Sequence, residues 1–217
     1  MFAYLIRDYT QAILFLSEDI EKINGSYNQE KRVSQILRIY IMNLREYLSA
    51  FNFLQEVKDL KGIKINPDLI IKWKGDLLEW TKPQNSKNYE KKLQSLIDKY
   101  LVPIENEMAY GNQVDNQVIL FSLEGMISNH LFRTPKSSLN AQSLYWLGII
   151  EKSTPSLYFL GDMYFVDCIK TYSNNRYAKK CYDSYYKSIK FGFTGSAGTN
   201  IPVDIKRELD GLKKLIK

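Results

Sequence analysis

Apolar residues recur at spacings of three and four along most of the chain, and the pattern breaks at glycine, proline and asparagine. The first periodic run, residues 3–24, carries Leu5, Ile6, Tyr9, Ile13, Leu16, Ile20 and Ile23 and stops at Gly25, as a helix with a glycine C-cap would. A capping-box pair, Ser26 and Gln29, precedes a long run from about residue 28 to 61 that Gly62 closes. Val33, Leu37, Tyr40, Leu44, Tyr47, Leu48, Phe51 and Leu54 form its apolar stripe, with Lys31, Gln35, Arg38, Arg45, Asn52 and Glu56 opposite. As one helix it would extend about 50 Å at 1.5 Å per residue, long enough to be the spine of a domain even with a kink.

Asn66-Pro67 places a cap before a proline at the first helical position and starts a third helix through Ile70, Trp73, Leu77 and Trp80, ended by Pro83. Residues 83–88, PQNSKN, form the clearest linker. Helical period returns from Tyr89 to Tyr110, with Pro103 expected to kink or split it. The runs 115–132 and 157–171 are apolar on nearly every side, which predicts helices at the centre of a bundle. Between them Ser138–Lys152 forms another helix, and Thr154-Pro155 opens the next. A loop from Gly192 to Asn200 leads to a terminal helix over about 202–216. Sustained alternation and Asn-Gly or Asp-Gly hairpins between apolar runs are both missing. The pattern therefore predicts an all-α protein, an irregular bundle of seven to nine helices with one long helix in the N-terminal half. The linker divides it into parts 1–82 and 86–217, or the two share a single domain 1–217.

With 217 residues, 45% of them apolar or aromatic, the chain can bury a substantial core. Charge changes the picture more. Residues 176–217 hold ten Lys or Arg against four acids, while residues 1–175 hold 20 of each, so the whole excess of +6 lies in the last fifth of the chain. Cys168 and Cys181 are too few for a disulfide framework and are expected to be small buried hydrophobes in a reducing compartment. Arg7, Asp8, Thr10 and Gln11 break up any leader-like apolar run, and no segment approaches the roughly 18 apolar residues of a membrane span. A cytoplasmic location without a membrane partner is the expectation, and Asn24-Gly25-Ser26 then reads as a turn rather than a glycosylation acceptor.

Catalytic patterns are sparse. His130 is the only histidine, which excludes two-histidine metal sites and makes any nucleophile–base arrangement depend on that one position. It falls near the end of an apolar helix, where exposed carbonyls favour an imidazolium, so a structural role is expected ahead of acid–base work. Asp162 and Asp167 point about 140° apart on a helix, Glu105 and Glu107 about 200°, and neither pair shares a face. No metal or cofactor is expected, and whether the chain is an enzyme stays open, with a non-catalytic role the expectation.

The loop FGFTGSAGTN carries Gly192, Gly195 and Gly198, with Ser196 and Thr199, before the terminal helix. Gly195, Ser196, Gly198 and Thr199 form a candidate phosphate loop, although no Gly-Lys-Ser/Thr ending makes it a P-loop. The densest tyrosine–lysine stretch, Tyr172–Phe193, precedes it. Taking Arg176 as zero at 100° per residue, Lys179, Lys180, Lys187 and Lys190 share with it an arc of about 100°. Tyr177, Cys181, Tyr182, Tyr185 and Ile189 fall on the opposite side, so these tyrosines are expected to pack and the cations to form a solvated stripe diluted by Asp183. Together with Lys206 and Arg207 of the terminal helix, the stripe is the candidate surface for a nucleic acid or another polyanion. A protein–protein adaptor or inhibitor without a nucleic-acid role is the alternative, and an enzyme centred on His130 the third.

Overall fold

The computed structural model describes residues 8–60, 62–81, 88–109, 115–156, 160–196 and 198–216; residues 3–7 of the first run and 83–87 of the linker lie outside them. The fold is all-α, with ten helices of at least eleven residues among the described residues, slightly more than the pattern predicts.

One compact unit comprises Met1–Pro103, Gln113–Met126 and Thr154–Leu157. Helix α1 (Tyr9–Lys22) begins at Asp8, whose Oδ1 accepts from the Gln11 N–H at 3.0 Å. Helix α2 (Ser26–Arg38) follows Gly25 at φ 98°, a left-handed conformation that favours glycine, and no side chain caps it. The expected Ser26–Gln29 box does not form, because Gln29 is buried. Its amide donates toward the Ile20, Ile23 and Gly62 carbonyls, each at 3.3 Å, and accepts from the Lys64 N–H at 2.8 Å. A buried amide whose two N–H groups are shared among three carbonyls while its oxygen accepts a fourth bond is better placed there than at a solvated helix end.

The long predicted run is helical almost throughout but interrupted. After α2 the chain widens into a π-helix, Ile39–Leu44, and Arg45 turns left-handed at φ 61°. The Glu46 N–H closes on the Tyr40 carbonyl six positions back at 2.9 Å, one position farther than a Schellman closure, before α3 (Tyr47–Asp59) begins. Helix α4 (Pro67–Trp80) starts as its cap predicts, Asn66 Oδ1 accepting from the Asp68 N–H at 3.0 Å. Helix α5 (Tyr89–Tyr100) is capped by Asn88. Val33, Leu37, Leu54, Trp73, Leu77 and Phe121 anchor the core. Within it Arg38 forms a buried ion pair with Glu124 and lies 5.9 Å from the Phe121 ring centroid.

The other compact unit comprises Ile104–Asn112, Ile127–Ser153 and Tyr158–Lys217. Pro103 splits the helical run as expected, giving a 3-10 turn (Val102–Ile104) and the short α6 (Glu105–Ala109). Helix α7 (Gln117–Arg133) contributes its first part to one unit and its last to the other. Helix α8 (Asn140–Ser153) is the buried centre of this unit, a place that the sequence pattern assigned to 157–171. Helix α9 (Gly161–Thr171) instead buries one face, with Gly161, Phe165, Cys168 and Ile169, and leaves Met163 exposed. It begins at Gly161, not directly after Thr154-Pro155. Helix α10 (Arg176–Gly192), a hairpin of β1 (Thr194–Gly195) and β2 (Gly198–Thr199), and α11 (Val203–Leu215) complete the unit.

Helix α9 packs between α8 and α10. Their close approach corrects the expectation for the cysteines. Cys168 and Cys181 are buried as predicted but joined in a disulfide, their Cα atoms 6.4 Å apart, within the reach of such a bond. The turn between α9 and α10 brings positions 13 apart face to face, so the two cysteines no longer point to a reducing compartment.

Candidate polyanion-binding surface

Helix α10 sorts its side chains as an amphipathic helix must when one face is buried. Ala178, Cys181 and Tyr185 are buried, while Arg176, Lys179, Lys180, Asp183, Lys187 and Lys190 are exposed. Five contacts fix this orientation. Asn175 Oδ1 caps the start by accepting from the Tyr177 N–H at 3.0 Å. The disulfide ties Cys181 to α9. Ser188 donates to Asp162 Oδ2 at 3.0 Å and accepts from Lys152 Nζ at 2.6 Å, joining α10 to α8 and α9. Tyr185 donates its hydroxyl to Glu208 of α11 at 3.1 Å. Burial, and then the Glu208 carboxylate, push the Tyr185 phenol up to about 12.

Not every cation in the stripe is equally available. Lys180 Nζ lies 2.7 Å from Glu105 Oε1, the oxygen that also accepts from the Tyr145 hydroxyl at 2.6 Å. Its charge is further held over the Tyr145 and Tyr177 rings, 5.3 and 5.6 Å from their centroids. Burial, followed by the Glu105 carboxylate, raises the Tyr145 hydroxyl well above its ordinary value, so it stays a neutral donor. Lys180 thus belongs to an internal cluster more than to the open stripe. Arg176 partly covers the Tyr177 ring at 5.1 Å. Lys179, Lys190, Lys206 and Arg207 are exposed and form no ion pair among the described residues.

The glycine loop is a two-stranded antiparallel hairpin, Thr194 opposite Thr199 and Gly195 opposite Gly198. Gly198 needs its φ of 102°, in the left-handed region. The Thr194 and Thr199 hydroxyls bond each other at 2.8 Å, and the Thr194 hydroxyl also meets the Lys190 carbonyl at 2.6 Å. The hydroxyl of Thr199 is therefore engaged within the hairpin, while Ser196 is exposed beside its turn.

Two aromatic residues flank the stripe. Tyr186 is 40% exposed, with its ring 6.2 Å from Tyr182 at 18° between planes, and Phe191 is 86% exposed. Their helical angles from Arg176, about 280° and 60°, lie on either side of the cations. The signal was present in the spacing, yet the inward tyrosines dominate it. By contrast His130 is buried, its ring 2.9 Å from the Thr134 hydroxyl, which also bonds the His130 carbonyl at 2.6 Å. Among the described residues no group of three or more His, Cys, Asp or Glu could hold a metal ion, and no helix is long and apolar enough to cross a membrane. No protein-family model, curated protein sequence or solved structure matches the chain, which leaves the chemistry of this surface to speak for its role.

Proposed function

We propose that this chain is a non-catalytic binding protein whose basic C-terminal surface takes a nucleic acid or another polyanion. The observation that carries the reading is the confinement of the entire charge excess to residues 176–217, with Lys179, Lys190, Lys206 and Arg207 exposed. Arg176 and Lys187 extend the stripe on α10, and the hairpin through Gly195, Ser196, Gly198 and Thr199 stands between the two basic helices. Phosphates are bound through charge without regard to sequence, and such binding weakens steeply with salt.

Oligonucleotide binding measured across salt concentrations tests the reading. Four phosphate contacts on duplex DNA give a slope of about −3.6 in log affinity against log salt, a loss of roughly a hundredfold between about 50 and 200 mM, and about −2.8 on a single strand. A complete lack of binding at low salt would overturn the proposal. Capture of one stoichiometric protein in a nuclease-insensitive complex would favour the adaptor reading instead. A cytoplasmic protein would carry Cys168 and Cys181 as thiols, whereas a disulfide persists in oxidising compartments. Thiol counting on protein taken from its native source separates these two locations.

A further inference from the structure

We infer that the α10 surface is built for single-stranded nucleic acid, with Tyr186 and Phe191 as stacking platforms on either side of the lysines. The inference rests on the polyanion reading and adds what the cations alone do not supply, a means of telling an open strand from a duplex. A lysine stripe meets the phosphates of both. Only an unpaired base has a face to offer an aromatic ring, and such stacking tolerates any sequence because every base has a π-face.

The placement suits that role. Phe191 is 86% exposed at the end of α10, next to Lys190, and Tyr186 is 40% exposed next to Lys187. Buried aromatic positions were available on the same helix, since Tyr185, one residue from Tyr186, is 6% exposed. One flank of Tyr186 meets Tyr182 nearly parallel, 18° between planes, which steadies the ring without enclosing it. Lys190 and Lys179 lie between the two rings around the helix, so a strand whose phosphates follow the cations brings its bases to the rings. A duplex keeps its bases stacked inside and gains nothing from either ring.

The occupant is chosen by the arrangement of cations and rings, since charge alone suits more than one polyanion. An exposed phenylalanine beside lysines also suits an anionic lipid surface. A position-by-position flank of cations between two separated rings favours a strand, and vesicles enter as a competing outcome.

Fluorescence anisotropy on the full chain decides. The probes are labelled single strands of DNA and of RNA of about 15 nucleotides, near the upper site size of single-strand binding folds, and the matching duplexes. The expected result is at least about tenfold tighter binding of a single strand than of its duplex. Tyr186→Ala with Phe191→Ala should cost about tenfold or more on the single strand, leaving duplex affinity and the salt slope unchanged. Tyr186→Phe with Phe191→Tyr should restore the single-strand affinity, and the DNA and RNA arms show which sugar is preferred. Equal affinity for strand and duplex, or an unaffected alanine variant, overturns the inference while the polyanion reading stands. No oligonucleotide binding by the parent chain overturns both, and binding only to phosphatidylserine vesicles, lost in Phe191→Ala, assigns the ring to lipid instead.

Discussion

Helices α8 and α10 belong to the same unit, yet their residues are used in opposite ways. Nearly every residue of α8 is buried, including Asn140, Gln142, Ser143, Glu151 and Ser153, whose polar groups need partners inside the protein. On α10 only one face is buried, and the other is a stripe of cations with two aromatic rings. The difference shows where sequence change should damage the fold and where it should change only what the fold binds. Stability resides in α8 and the inner face of α10; the proposed function resides in the outer face.

The sharpest way to break α8 is Gly148→Ala. A Cβ at that position would sit 2.4 Å from Phe165 Cε1 and 2.7 Å from its Cδ1, inside the ring's contact distance. With Phe165 itself fully buried in a packed core, we expect a loss of about 3 kcal/mol, the upper end of overpacking costs, read as a melting point lower by about 6–12 °C. An unchanged melting point would show that Phe165 has room to move.

Next in size is the inner face of α10. Replacing both cysteines, Cys168→Ala with Cys181→Ala, opens a loop spanning 13 positions in sequence. Chain-entropy arguments give a loss of about 2–3 kcal/mol. Denaturant titration of parent and variant, with and without reductant, checks it, and reductant should lower only the parent. Equal stability of all four samples would mean that packing alone holds α9 to α10.

A smaller, pH-dependent effect belongs to Tyr185. Its phenol is raised from an ordinary value of 10.0 to about 12, so the folded state keeps a proton that the unfolded chain releases. The sign follows directly: this contribution is complete below pH 10 and is lost as pH rises toward about 12. Tyr185→Phe should cost about 1 kcal/mol at neutral pH through the lost bond to Glu208. It should also make stability fall less steeply above pH 10, in melting curves recorded between pH 8 and 12. An identical alkaline fall in the variant would contradict the role given to Tyr185.

The smallest effect on the fold is expected on the outer face. Lys179→Glu with Lys190→Glu should change stability by no more than about 0.5 kcal/mol per site, since both side chains are exposed without ion pairs among the described residues. A loss as large as that of Gly148→Ala would erase the contrast between the two helices.

How well each region could be read from sequence follows the same contrast. The angular sorting of α10 was legible because lysine and tyrosine differ strongly in their cost of burial. Asn66-Pro67 and Pro103 were legible because proline acts through local backbone geometry. The burial of helix α8 is not legible in sequence, since buried Gln142, Ser143 and Glu151 look like a polar face until tertiary partners are known. The turn at Arg45 carries no glycine or proline to mark it, and the bond from Glu46 to the Tyr40 carbonyl that closes it is a feature of the folded chain. Two cysteines 13 apart say nothing about facing each other until the α9–α10 turn is known. At the candidate surface, the cations were found by spacing, but the neutralisation of Lys180 by Glu105 joins positions 75 apart and was invisible.

The most direct measurement is the salt dependence of oligonucleotide affinity for the parent chain beside Lys179→Glu with Lys190→Glu, both verified as folded. A steep slope is expected for the parent, and for the variant a weaker affinity with a slope shallower by about 2. Equal affinity and equal slope for the two proteins would contradict the claim that the outer face of α10 is where this protein meets its partner.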